Sequence, residues 1–172
     1  MVATLQCPAT CFDTLISHFN VDGQNDAKRL LPSGEYPLFV TWKKKSLFDD
    51  CYTLRGCIGT FSPIDLEKGL QEYSLTSALS DKRFNPVRAD EISSLQCGIS
   101  VLSHFETASH AYDWQIGTHG IMIEFTDPLS YCFRKATYLP EICLEQNWNH
   151  QECIQSLKPF NALNDPTDAD GL

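Results

Sequence analysis

Two β-forming segments follow each other along the chain with only a polar connection between them. Residues 38–42 are dense in side chains that favour extended backbone, and residues 54–61 form a second such segment. The connection, residues 43–53, is polar. Because strands that follow each other in sequence usually pair in space, we expect these two segments to be neighbours in one sheet.

Two segments with helical character flank this pair of strands. Apolar side chains recur at helical spacing near the N-terminus and predict a first helix of about three turns. These side chains are Cys11, Phe12, Leu15, Ile16 and Phe19. Residues 62–65, Ser-Pro-Ile-Asp, place a proline at a first helical position and an acid in the first turn. They predict a second helix that runs to about Ser80. Residues 20–35 are predicted to form a loop.

The remaining predicted elements come in mixed order. We expect strands at residues 97–101, 121–125 and 131–138, a tight turn at residues 117–120, and short helices at residues 140–146 and 151–157. This order lacks the regular strand–helix alternation and the glycine-rich first turn of a doubly wound nucleotide fold. The predicted class is therefore α+β, with a mainly antiparallel sheet and flanking helices.

Size and charge limit the partners. A chain of 172 residues with 42% hydrophobic residues can bury one full core. Its net charge of -9 disfavours nucleic acid and anionic membrane as partners. The N-terminus does not resemble a secretory signal, and no stretch approaches the roughly 20 apolar residues of a membrane span. We therefore expect a cytoplasmic or nuclear protein with no membrane association, and an acidic, disordered tail at residues 158–172.

Eight cysteines raise the question of disulfides and metals. Without an export signal or a framework spacing, they are predicted to be thiols. No two of them are separated by two residues, and His150 with Cys143 and Cys153 forms only a loose cluster. We therefore predict no metal site and no cofactor.

The richest chemistry lies in residues 54–59. Since side chains alternate along a strand, Arg55 and Cys57 are predicted to share a face. A guanidinium beside a thiol favours the nucleophilic thiolate, and an arginine fork binds carboxylate or phosphate. Gly56 and Gly59 allow a ligand or another strand to approach the backbone closely. In the alternative, Cys57 is a packed structural thiol and the glycines mark bulges or bends.

Residues 54–59, Leu-Arg-Gly-Cys-Ile-Gly, closely resemble the signature hexapeptide of the AMMECR domain family. Further segments look like the eukaryotic members in order and spacing: residues 36–43, 72–79, 81–84, 117–121 and 136–141. The resemblance covers residues 1–157. It implies a two-lobed α+β domain with the signature segment in a cleft between the lobes. The resemblance does not indicate which reaction the protein catalyses, because the family's activity is not established. The family domain continues past the position of Leu157, so its C-terminal part is expected to be missing or replaced here.

The leading functional hypothesis is a site for a small anionic ligand, with Arg55 as anchor and Cys57 as the reactive thiol of an enzyme. His119, between glycines in the predicted turn, is a candidate base to Cys57, although an exposed turn histidine is the alternative. Arg83 either gives a second anion contact or pairs with Asp81 or Asp90. The rival hypothesis is a non-catalytic regulatory module in which the cleft binds a partner's peptide and the cysteine is structural. The sequence does not predict an oligomeric state.

Overall fold

The computed structural model describes residues 4–20, 30–127 and 130–157. The chain divides into two compact units, Met1–Phe105 and Glu106–Leu172. The predicted tail at residues 158–172 and most of the predicted loop at residues 20–35 lie outside the described residues.

The first unit contains a three-stranded antiparallel sheet in the order β2-β1-β3. Its strands are β1, Glu35–Lys45, β2, Tyr52–Asp65, and β3, Leu95–Val101. The predicted pairing of the first two strands is confirmed. Both strands are longer than predicted, because the polar end of β1 stays paired with β2 as far as Lys45 opposite Tyr52.

Two helices cover one face of this sheet: α1, Gln6–His18, and α2, Leu66–Leu79. The core that they close contains Leu38, Val40 and Trp42 of β1, all with no exposed surface. The helices add the buried side chains Cys7, Cys11, Leu15, Leu66, Leu70 and Ala78. Trp42 is held from both helices, since its Nε1 donates to Ser74 O at 3.0 Å and its ring meets Phe12 edge-on at 4.9 Å.

The predicted start of the second helix is wrong. Pro63 belongs to β2, because the pairing with β1 continues to Glu35 opposite Asp65. Asp65 is instead the N-cap, and its carboxylate accepts a hydrogen bond from Lys68 N at 3.0 Å. A short 3-10 helix, Ala89–Ser94, follows α2 and leads into β3.

The second unit contains the antiparallel pair β4, Ile121–Thr126, and β5, Phe133–Tyr138. Two short helices follow: α3, Pro140–Glu145, and α4, His150–Leu157. Pro140 opens α3 as predicted. The predicted α+β class with antiparallel sheets is therefore confirmed, whereas the cleft between lobes stays a prediction. Among the described residues, no helix is both long and apolar enough to cross a bilayer.

A disulfide joins Cys143 of α3 to Cys153 of α4, with their Cα atoms 6.2 Å apart. Both residues are buried. The prediction that all eight cysteines are thiols is wrong for this pair. The turn between the two short helices brings the sulfurs together, and a separation of ten residues carried no signal of it.

Candidate functional site

A β-bulge lies at the start of residues 54–59. Trp42 pairs with Gly56 and Lys43 pairs with Leu54, so Arg55 is an additional residue of β2 without an opposite residue in β1. A bulge of this kind interrupts the alternation of side chains along a strand. The faces predicted from strict alternation therefore do not hold at Arg55.

The Arg55 guanidinium is occupied by the protein itself. It makes a bidentate contact with the Glu91 carboxylate, at 3.2 Å from Nε and 3.0 Å from Nη2. It also donates to Asn85 O at 2.6 Å and Pro86 O at 3.2 Å. Only 14% of its side chain is exposed. Arg55 thus ties the segment that follows α2 to the edge of the sheet.

Glu91 is the centre of this cluster. Its carboxylate also accepts from Lys44 Nζ at 2.8 Å and from Arg88 N at 2.9 Å. Burial of Glu91 raises its pKa, but the hydrogen bonds from Arg55, Lys44 and the Arg88 amide outweigh burial and lower the pKa to about 2. The carboxylate is therefore ionised at neutral pH, and it neutralises the cation that was predicted to bind a ligand.

Arg55 and Cys57 lie on opposite faces of the sheet. Lys44 lies two residues after the buried Trp42 in β1, so its side chain is on the helix-covered face. The Glu91 carboxylate binds both Lys44 and Arg55, so Arg55 lies on that face as well. Cys57 lies opposite Thr41, on the other face, and the Thr41 hydroxyl donates to Cys57 Sγ at 3.1 Å. The predicted shared face is wrong, and the bulge at Arg55 is the physical reason.

Gly56 and Gly59 make room for the protein's own backbone. A Cβ on Gly56 would lie 2.0 Å from Ser77 O of α2. A Cβ on Gly59 would lie 2.2 Å from Leu38 O of β1. No side chain fits at such distances, so a helix and a strand account for both glycines. Ligand contact at these two positions stays a prediction.

The backbone of Cys57 is bound by a side-chain ion pair. Cys57 N donates to Asp81 Oδ2 at 2.9 Å, and Arg83 Nη2 donates to Cys57 O at 3.0 Å. The Arg83 fork in turn holds Asp81, at 2.9 Å from Nε and 2.7 Å from Nη2. The pair thus gives the outer edge of β2 the donor and the acceptor that a neighbouring strand would supply.

Charge at this edge is fixed by the same contacts. The Arg83 hydrogen bonds lower the pKa of Asp81 to about 2, against the effect of burial. The pKa of Arg83 is raised, first by its hydrogen bond to Asp81 and then by the charge of Asp81, against the effect of burial. Arg83, whose side chain is 57% exposed, is thus a cation in contact with the backbone of Cys57.

The sulfur lies on a row of small residues that crosses the three strands. Thr41 pairs with Cys57 on one side and with Gly98 on the other. Cys57 and Thr41 are half-buried and Gly98 is exposed. A Cβ on Gly98 would make only ordinary contacts, the nearest 3.8 Å away. We call these residues, Cys57, Thr41 and Gly98, the thiol row.

His119 holds its own loop. The predicted tight turn is confirmed, with Gly117 at a φ of 82° and His119 N donating to Gln115 O at 2.9 Å. Gln115 N donates back to His119 Nδ1 at 2.9 Å. Because Nδ1 accepts this hydrogen bond, the neutral imidazole carries its proton on Nε2. His119 can therefore accept a proton from Cys57 only if the bond from Gln115 N to Nδ1 is broken. Cys57 belongs to the first unit and His119 to the second, and their dyad stays a prediction.

Within residues 4–20, 30–127 and 130–157, no group of three or more His, Cys, Asp or Glu side chains is placed to bind a metal ion. His150 of the loose sequence cluster contacts Trp114 O through Nε2 at 2.9 Å. The two cysteines of that cluster form the disulfide.

Comparisons with known proteins found relatives in plants and yeasts. Arabidopsis thaliana has a relative, Uncharacterized protein At2g38710, that is 47% identical over 86% of this chain and 67% of its own length. A Kluyveromyces lactis relative, Uncharacterized protein KLLA0D02464g, is 45% identical over 70% of this chain and 56% of its own length. The chain thus spans between about half and two thirds of these relatives.

The solved structure of Uncharacterized Protein PH0010 from Pyrococcus horikoshii has a similar fold. The match has a TM-score of 0.69 and 20% sequence identity, and covers 94% of this chain and 83% of that one. The AMMECR1 family profile matches residues 8–168, which is most of the sequence. The chain therefore belongs to the AMMECR1 family.

Proposed function

We propose that the protein binds a small anionic ligand at the thiol row and that the Cys57 thiol reacts with it. The observation that carries the proposal is the contact of 3.1 Å from the Thr41 hydroxyl to Cys57 Sγ, beside the Arg83 guanidinium. A hydroxyl donor and a nearby cation both stabilise negative charge on sulfur. They therefore favour the nucleophilic form of the thiol.

Arg83 is the better candidate anion contact of the two arginines. Arg55 is almost buried and already neutralised by Glu91, whereas the Arg83 side chain is 57% exposed. Its bonds to Asp81 and Cys57 use Nε and Nη2, and no described residue accepts from Nη1. We therefore propose that Nη1 of Arg83 donates to a carboxylate or phosphate group of the ligand. Because Asp81 neutralises the guanidinium in part, we expect modest affinity.

An enzyme built on this site would use the thiolate as the nucleophile and Arg83 to orient the anionic substrate. The exposure of Gly98 supports access of a substrate to the thiol row. His119 is not needed for this chemistry, because the hydroxyl donor and the cation both belong to the first unit.

Ligand protection tests the anion site. Each cysteine of the native protein is alkylated with iodoacetamide, and the sites are quantified by peptide mass spectrometry. Inorganic phosphate is expected to slow the alkylation of Cys57 and not that of the exposed Cys51 and Cys132. Arg83→Gln should remove the protection. Arg88→Gln is the matched control, because Arg88 also pairs with a nearby aspartate and is 73% exposed.

An unprotected Cys57 in the wild-type protein would contradict the proposal. It would favour a non-catalytic interaction module, a second candidate that one observation supports. Arg55, Gly56 and Gly59 are all engaged by the protein's own structure, as expected of a segment that only holds the fold. In that case Cys57→Ala should lower the free energy of unfolding while wild-type Cys57 labels slowly.

A further inference from the structure

The hairpin between β1 and β2 exposes large apolar side chains at its end. We call residues 46–51 the hairpin tip. Leu47 and Phe48 in the tip are 88% and 98% exposed. Tyr52 and Leu54, which follow it in β2, are 44% and 39% exposed. Single exposed apolar residues are normal on a protein surface, but a contiguous group marks a contact surface.

The tip is an ordered turn. Ser46 N donates to Cys51 O at 2.8 Å and closes the hairpin. Inside it, Phe48 N donates to Ser46 Oγ at 3.2 Å and Cys51 N donates to Asp49 Oδ1 at 3.1 Å. Because these bonds already fix the backbone that carries Leu47 and Phe48, docking of the tip costs little further conformational entropy.

Charge is separated along the same hairpin. Lys43 lies opposite Leu54 and Lys45 lies opposite Tyr52, so basic and apolar side chains share one face at the base. Asp49 and Asp50 lie in the tip. Lys45 and Asp50 make an ion pair of 2.8 Å on the surface, with side chains 47% and 97% exposed. Such a pair contributes little to stability and can exchange partners readily.

We infer that a second copy of this chain docks on this hairpin, with the two hairpins antiparallel about a two-fold axis. In that arrangement the acidic tip of each copy lies over the lysines at the base of the other. The same operation places Leu47 and Phe48 of each copy against Tyr52 and Leu54 of its partner. The surface is thus complementary to itself in charge and in apolar contact, as a two-fold interface requires.

The apolar area that two hairpins can bury determines how strong the dimer is expected to be. Burying these four apolar side chains on both copies removes on the order of 1,000 Å² from water, which is near the lower limit for a specific interface. We therefore expect a weak, transient dimer that forms at micromolar or higher protein concentration. The inference does not depend on the reactivity of Cys57.

Sedimentation equilibrium of the purified chain tests the dimer. All samples carry Cys51→Ser and reductant, because the exposed Cys51 could otherwise link two copies through a disulfide. Phe48→Ser is expected to weaken dimerisation roughly tenfold or more, as loss of a central aromatic contact does. Phe133→Ser is the matched control, because Phe133 is a 62% exposed phenylalanine of the second unit. It should leave the dimerisation constant unchanged.

A charge exchange tests the antiparallel arrangement. Asp50→Lys and Lys45→Glu should each weaken self-association, and neither removes the Asp49 bond that holds the tip. An equimolar mixture of the two variants should associate again, because each tip then meets an oppositely charged base. A monomer at every concentration up to several hundred micromolar would overturn the inference. So would a dimer that Phe48→Ser leaves intact, or a mixture of the charge variants that fails to associate.

Discussion

Glu91 connects the sheet to the segment after α2, and its replacement by glutamine tests whether this connection stabilises the first unit. Glu91→Gln keeps the size of the side chain and removes its charge. Arg55, with 14% of its side chain exposed, then loses the anion that it holds through two bonds. Lys44 loses the same partner. The loss of stability comes mainly from the nearly buried Arg55 guanidinium, which is left without an anion.

Two estimates give the magnitude. Removing one partner of a buried ion pair costs about 3 kcal/mol or more. A pKa that falls from 4.5 to about 2 on folding corresponds to about 3 kcal/mol at neutral pH. Because Lys44 is 35% exposed and water screens that contact, we expect Glu91→Gln to lower the free energy of unfolding by about 2 kcal/mol. Urea unfolding at pH 7, followed by tryptophan fluorescence, measures it.

The pH dependence gives a second readout of the same prediction. The pKa of Glu91 is depressed on folding, so its contribution is complete above pH 4.5 and is lost as the pH falls toward 2. The stability difference between wild type and Glu91→Gln should therefore shrink below about pH 4.5. Asp90→Asn is the control, because Asp90 is exposed and pairs with an exposed arginine. Equal losses in both variants, or a difference at pH 2.5 as large as that at pH 7, would refute the reasoning.

Two further predictions concern packing and the disulfide. Gly56→Ala should lower the free energy of unfolding by about 3 kcal/mol, because the new Cβ overlaps Ser77 O. Gly98→Ala, where the nearest atom is 3.8 Å away, should change it by less than about 0.5 kcal/mol in the same urea assay, and equal effects would contradict this account. Replacing both Cys143 and Cys153 by serine should cost about 3 kcal/mol, the loop-closure value for ten residues. Dithiothreitol should destabilise the wild type and leave the double variant unchanged, and an insensitive wild type would argue against the disulfide.

Local sequence patterns predicted which segments form helices and strands. Pairing between distant residues decides where each helix or strand begins and ends. The alternation of Leu38, Val40 and Trp42 is sufficient to identify β1, because these side chains fill the core. Residues 62–65 satisfy the rules for a helix start, yet Pro63 stays in a strand. The pairing of Glu35 with Asp65 decides this, and no window around residue 63 contains that information.

At the candidate site, contacts with distant residues matter even more than they do for the ends of the strands. The segment that holds Arg55 and Cys57 could be identified from its residues, but the bulge that separates their faces depends on register with β1. Their partners, Glu91 and Asp81, lie 36 and 24 residues away in sequence. The sequence predicts that Arg83 either contacts an anion or pairs with Asp81 or Asp90, and the pair with Asp81 is present. No local pattern in the sequence indicates that Asp81 also binds the backbone of Cys57.

The central claim is that the surroundings of Cys57 activate its sulfur, and its alkylation rate tests this most directly. The second-order rate constant for iodoacetamide at pH 7 is compared with that of a synthetic peptide of residues 54–60. The account predicts a faster reaction in the folded protein, slowed severalfold by Thr41→Val and by Arg83→Gln and unchanged by Arg88→Gln. A folded protein that reacts more slowly than the peptide, with no response to Arg83→Gln, would contradict it.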